Sequence, residues 1–278
     1  MGQGIRKTFG DWVILGLVIA LAIAWLAPIV WVVGLSLKPN DVLMRSTGGL
    51  FAPPFTSKNY TDISATSAVF GWMLNSTIVA IGQTVLTLAL STLAGYGFAR
   101  TDFPGKKAVF VLVLAGLAVP EQAIIVPLHT MFAEANLHNT YFGLIAPRLA
   151  VPFGVFLMTQ YFRAIPAEIE EAAMLDNASR LKIFFRIMLP LTIPAQATLG
   201  IYTFLHAWNE YFWPLVSATK PEMYTLTIGL AATQTNFAQT EGIGFLMAQA
   251  VFAGIPVLIL YLLFQRQIVT AVSGGFAK

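Results

Sequence analysis

Six stretches of this chain are each long and apolar enough to cross a bilayer, and that constrains its fold more than any other feature. A span needs roughly 20 mostly apolar residues; residues 12–35, 69–99, 108–132, 141–162, 189–213 and 245–269 supply them. "VLTLALSTLAGYGFA" and "VLILYLLF" are apolar on every side, as helices among lipid and other helices are. A membrane barrel would alternate with period 2 instead. The expected fold class is therefore an all-α integral membrane protein with six transmembrane helices. Its 57% hydrophobic and 10% charged residues lie outside soluble composition. The first stretch exceeds the roughly 7–15 apolar residues of a secretory signal and lacks a small-residue cleavage site, so it should remain as an anchor.

Orientation follows from Lys and Arg in the short connections. With the N-terminus inside, Arg6, Lys7, Arg100, Lys106, Lys107, Arg163, Arg180, Lys182, Arg186, Arg266 and Lys278 are cytoplasmic. Outside fall Lys38, Arg45, Lys58 and Lys220, and Arg148 lies within the fourth span. Both termini are then cytoplasmic: residues 1–11 and the tail 270–278. The formal charge of +3 is mostly this bias, and nucleic acid need not be invoked. Zero Cys excludes disulfides and thiolate metal sites.

Residues 38–68, with "STGGLFAPPFTSKNYTDIS", read as an outer loop with room for a short helix, and 214–244 as an outer region of amphipathic character. The inner connections are short except 163–189. No internal repeat is visible, which argues against a carrier built of two inverted halves.

That inner loop is unusual for so apolar a chain. In "RAIPAEIEEAAMLDN", Pro166 suits a helix start, and Glu168, Glu170 and Glu171 sit where the helix dipole favours acids. Ile169, Ala172 and Ala173 form a smooth, small face. Asp176 and Asn177 end the helix, since Asn tolerates the left-handed conformation. A second helix over 179–188 would put Leu181, Phe184, Phe185 and Met188 on one face, with Arg180, Lys182 and Arg186 elsewhere. An amphipathic segment lying on lipid headgroups is the plain reading. It leaves the Ala-rich face unexplained.

The series Glu171-Ala172-Ala173, then Asp176, Ala178, Phe185, Ile187, Leu189 and Pro190, resembles the EAA signature of membrane subunits of binding-protein-dependent ATP-binding-cassette importers. "NSTIVAIGQTVLTLALSTLAGYGFARTDFPGKK", "VPLHTMFAEANLHNTYFGLIAPRLAVPFGVFL", "AWNEYFWPL" and "FQRQIVTAVSGGFAK" resemble its carbohydrate branch, the maltose and glycerol-3-phosphate type second permease. The resemblance implies a type I importer permease fold in a bacterial inner membrane, with 163–189 as a coupling helix docked on a cytoplasmic ATPase. Glu171, Ala172, Ala173, Asp176, Asn177, Ala178, Arg180, Phe184 and Phe185 would form that contact. It also implies a second homologous permease chain, two copies of the ATPase and an extracytoplasmic solute-binding protein. ATP and Mg would be bound by the ATPase, and no cofactor by this chain. The family pattern has Gly where Asn177 stands; both accept positive φ.

Nothing in the sequence reads as catalytic. His129, His138 and His206 lack metal-ligand spacing and read as surface or helix-end groups, and "FPGKKA" lacks the Gly spacing and the Ser or Thr of a phosphate loop. Intramembrane ionisable residues usually face a cavity or a partner: Glu121, Arg148 and Glu210 qualify. A Glu121–Arg148 pair between neighbouring spans suits either packing or solute contact. Trp208, Asn209, Glu210 and Tyr211 suit a sugar, whose ring faces stack on aromatics while its hydroxyls take polar atoms. They equally suit an interfacial aromatic belt. Asn75, Gln83 and Gln249 fit a pathway or bonds across helices. The rival classes are a stand-alone carrier driven by an ion gradient and a membrane-embedded enzyme, which would need a clustered acid, base or metal site.

Overall fold

The computed structural model describes residues 9–44, 49, 51–65, 67–240 and 242–272. Arg6, Lys7, Arg45 and Lys278, counted above, lie outside the described residues, as does most of each terminal segment. All regular structure among the described residues is helical. In chain order the α-helices are α1 (Phe9–Ser36), α2 (Asn40–Met44), α3 (Lys58–Ala65), α4 (Ser67–Arg100), α5 (Lys106–Ala115), α6 (Glu121–Glu134), α7 (Tyr141–Ile145) and α8 (Pro152–Ala164). There follow α9 (Ala167–Leu175), α10 (Arg180–Ile183), α11 (Leu189–Leu191), α12 (Ile193–Trp208), α13 (Phe212–Ser217), α14 (Leu226–Thr240) and α15 (Ile243–Val272).

Three helices are unbroken and long enough to span: Phe9–Ser36, Ala68–Arg100 and Ile243–Gln265. The other three apolar stretches are bent pairs: Lys106–Ala118 with Glu121–Glu134 at 101°, Tyr141–Arg148 with Pro152–Ala164 at 55°, and Arg180–Leu191 with Ile193–Trp208 at 71°. A straight third crossing over 108–132 is thus not what the chain adopts. Proline explains the first two breaks. Val119 and Val151, each preceding a Pro, are extended (ψ 115° and 106°), because the proline ring clashes with a helical residue before it. At the third, Pro190 and Pro194 flank Thr192. The carbonyl of Leu189 there accepts from Thr192 Oγ1 at 2.9 Å and Gln196 Nε2 at 2.8 Å. These side chains add to the Thr192 N–H bond on the same carbonyl, so the group stays satisfied through the bend, as a lipid surround requires.

The chain forms two compact units, residues 1–67 with 230–255, and 68–229 with 256–278. In the first, α1 buries nothing but its end: Ser36 is enclosed while Leu17, Leu21, Ile23 and Trp25 stand exposed. An apolar helix open on all sides is matched to lipid. The 38–68 segment holds two short helices, α2 and α3, where one had room. Asn59 pins it by donating to the carbonyls of Ser36 (2.8 Å) and Lys38 (3.0 Å). Lys38 is buried, its ammonium on the Ala52 carbonyl and 4.5 Å from the centre of the Phe55 ring.

In the second unit α4 is patterned inside out. Ser76, Gln83, Thr87, Ser91 and Gly95 face inward, and Ile81, Val85, Leu86, Leu90 and Leu93 face outward. Small residues let backbones approach: a side chain at Gly95 would collide with the Met158 backbone, so α4 and α8 meet there. Below that contact Met158, Phe162, Ala173, Ile183, Phe184, Met188, Ala195 and Leu199 form a buried cluster.

Candidate functional site

Two regions of the second unit carry most of the singled-out residues: the 163–189 loop and a polar cavity among the helix breaks.

Helix α9 ends in a Schellman turn. Asn177 adopts φ 56°, its N–H donates to Met174 O at 3.0 Å, and the Ala178 N–H donates to Ala173 O at 3.0 Å. This is the corner expected of Asn177. Ser179 then caps α10 through the Lys182 N–H at 3.3 Å. The loop is clamped from behind by Arg100, the last residue of α4. Its guanidinium donates to the carbonyls of Phe162 (2.6 Å) and Ile165 at the end of α8, and lies 3.7 Å from the Glu170 carboxylate in the first turn of α9. A cation is favoured at one helix's C-terminus and an anion at the next one's start, so one pair joins three helices.

Two faces differ from the sequence expectation. Ala173 is buried in the core cluster and lies apart from the exposed Ile169 and Ala172; Glu170 also turns inward, drawn by Arg100. In the second helix Phe184 and Met188 are buried with Ile183, while Leu181 and Phe185 point out, 71% and 57% exposed. The cause is a π turn over Phe184–Met188, whose wider period rotates the seam off the i, i+3, i+4, i+7 line. Glu171, Ala172, Asp176, Asn177 and Arg180 are exposed, Ala178 is half-buried, and Leu175 is 85% exposed.

The cavity, about 310 Å³, is lined by Gln83, Glu121, Arg148, Tyr202, Thr203, His206 and Trp213 among others. A second hollow of about 270 Å³ shares Glu121, Ile125, Arg148 and His206 with it and adds Asn209, Glu210 and Tyr211. Arg148, in the turn before the fourth stretch bends, is the hub. It donates to Glu121, which opens α6 just past the third stretch's bend, and to Glu210, just past α12, at 2.8 Å. His206 Nε2 lies 3.9 Å from the Glu121 carboxylate. Glu210 also accepts from the Trp213 N–H at 3.1 Å, starting α13.

The expected Glu121–Arg148 pair is thus present, and Glu210 joins it. Sequence reasoning had set His206 aside as a surface or helix-end group. Its signal was the i, i+4 repeat Tyr202–His206–Glu210, which aligns three polar groups on one face. Glu121, His206 and Glu210 also lie close enough to share a metal ion, but the Arg148 guanidinium already occupies the two carboxylates. Gln83 is among the residues that line the cavity. Asn75 is diverted: its amide donates to the carbonyls of Glu222 (2.8 Å) and Tyr224 (2.9 Å) and accepts from the Tyr141 hydroxyl, fastening the segment before α14 to α4. Gln249 does not line either cavity; its carbonyl accepts from Thr233 at 3.3 Å. Trp208 is buried and stacks on Phe204 at 5.8 Å, outside the lining.

Comparison with known proteins places these features. Residues 88–274 match the family described as binding-protein-dependent transport system inner membrane component. The chain is 35% identical over 261 residues to the arabinooligosaccharides transport system permease protein AraQ of Bacillus subtilis, covering 93% of this chain and 92% of that one. It is 34% identical over 268 residues to the diacetylchitobiose uptake system permease protein NgcG of Streptomyces coelicolor, covering 92% and 86%. Its fold superposes on the crystal structure of a bacterial ABC transporter involved in the import of the acidic polysaccharide alginate, with a TM-score of 0.82, 22% identity and coverage of 95% and 99%. The chain belongs to the family of integral membrane permease subunits of binding-protein-dependent ABC transport systems.

Proposed function

We propose that this chain forms half of the translocation pathway of an ATP-driven importer of sugars or sugar derivatives in a bacterial inner membrane, beside a second permease chain. Two copies of an ATPase, which hold the ATP and Mg, would dock on the inner loop, and a solute-binding protein would deliver solute to the outer loops. The sugar assignment rests on relatives named for oligosaccharides. Family membership favours this over a carrier driven by an ion gradient.

The observation that carries the coupling assignment is the outward face of the loop. Leu175, Leu181 and Phe185 stand exposed on a segment fixed by a Schellman turn and the Arg100–Glu170 clamp. Exposed apolar groups on a rigid support, ringed by Glu171, Asp176 and Arg180, form a protein-docking surface. Closure of the ATPases would push this surface. The load would pass through α10, the π turn and the 71° joint into α12, which carries Tyr202, Thr203 and His206 in the cavity wall. Alternating access then needs two packings of the bent helices.

The test is charge reversal on the docking face. Glu171→Lys or Asp176→Lys should leave membrane insertion intact, reduce co-purification of the ATPase at least tenfold and abolish ATP-dependent sugar uptake. Normal assembly and hydrolysis in both variants would refute the coupling role.

A further inference from the structure

The cavity's charge arrangement discriminates among solutes. Among the described residues, Arg148 is the only Lys or Arg in the lining of either hollow. Its guanidinium is committed to Glu121 and Glu210, and its side chain is 13% exposed. Glu121 is 52% exposed beside it. One guanidinium shared by two carboxylates leaves an excess of negative charge in this cluster, and Glu121 is its member open to the cavity. The rest of the polar wall is the imidazole of His206, 3.9 Å from the Glu121 carboxylate, the amide of Gln83 and the rings of Tyr202 and Trp213. An amide and an imidazole beside aromatic faces match sugar hydroxyls and ring C–H faces. No lysine or arginine among the described lining residues is left free for a carboxylate or phosphate.

Resting on the sugar-import reading above, we infer that this cavity takes uncharged or amine-bearing carbohydrate and repels carbohydrate acids. The alginate importer that shares the fold handles an acidic polysaccharide; this chain's solute is of the opposite kind. Uronate oligosaccharides and glycerol phosphodiesters are thereby excluded.

The chain has no cysteine, so a single reporter can read the local potential. Ile125→Cys places a thiol in the lining shared by both hollows. In the assembled transporter, reaction of this chain is followed by mass spectrometry with a trimethylammonium and a sulfonate methanethiosulfonate, each rate normalised to that of a free thiol. The cationic reagent should react at least tenfold faster, and adding Glu121→Gln should bring the ratio to the free-thiol value or below. Equal normalised rates, or a ratio unmoved by Glu121→Gln, would overturn the inference. Uptake of an uncharged oligosaccharide and of its uronate counterpart separates the two readings. Equal uptake of both overturns the charge selection and leaves the importer intact; loss of ATP-dependent uptake for every sugar overturns both.

Discussion

Asn177 shows how much one backbone angle can carry. At φ 56° it is one of three asparagines with positive φ among the described residues, beside Asn136 and Asn139, and the only one of them in the 163–189 loop. Asn pays little there because its short polar side chain tolerates the left-handed region, but Gly is freer still by about 1 kcal/mol. Asn177→Gly should therefore keep or tighten coupling. Asn177→Val, whose branched Cβ resists this conformation, should raise ATP hydrolysis per sugar imported several-fold, as measured in proteoliposomes. The corner was legible because Asp-Asn followed an Ala-rich helical run. Inward-turned Glu170 was not: three acids crowd the start of α9, and only the position of Arg100, 70 residues earlier in the chain, selects which one is buried.

Among the elements, α4, α8 and α9 are tied by that one clamp, and its removal should be asymmetric. Arg100→Leu leaves Glu170 enclosed and unpaired, which costs about 3–5 kcal/mol in comparable buried pairs. Arg100→Leu with Glu170→Leu should recover most of the loss, seen as thermal unfolding in detergent; equal destabilisation by the single and double changes would deny the pairing. The apolar stretches were readable as spans because bilayer thickness sets their length. Their bends were only partly so: prolines marked where breaks could fall, but the angles of 101°, 55° and 71° depend on the neighbours each half meets. The π turn at Phe184–Met188 left no sequence mark, so Phe185 was assigned to the wrong side of its helix.

For the molecule as a whole, the cation bias predicts sidedness, and the absence of cysteine makes it measurable. In sealed right-side-out vesicles, Lys58→Cys should react with an impermeant maleimide and Lys182→Cys only after permeabilisation; the reverse pattern would invert the topology. Distant parts of the chain were hardest to foresee together. Glu121, Arg148 and Glu210 come from three separate stretches, and the bends bring their ends to one point, so the ion cluster is a product of the breaks themselves. The joint at Thr192 has a mechanical corollary. Because the Leu189 carbonyl accepts from a hydroxyl and an amide on flexible stems as well as from the Thr192 N–H, a change of angle between α11 and α12 that stretches the backbone bond still leaves it partners. The bend is a lubricated bearing, in which bonds slide with the motion and need not be broken by it.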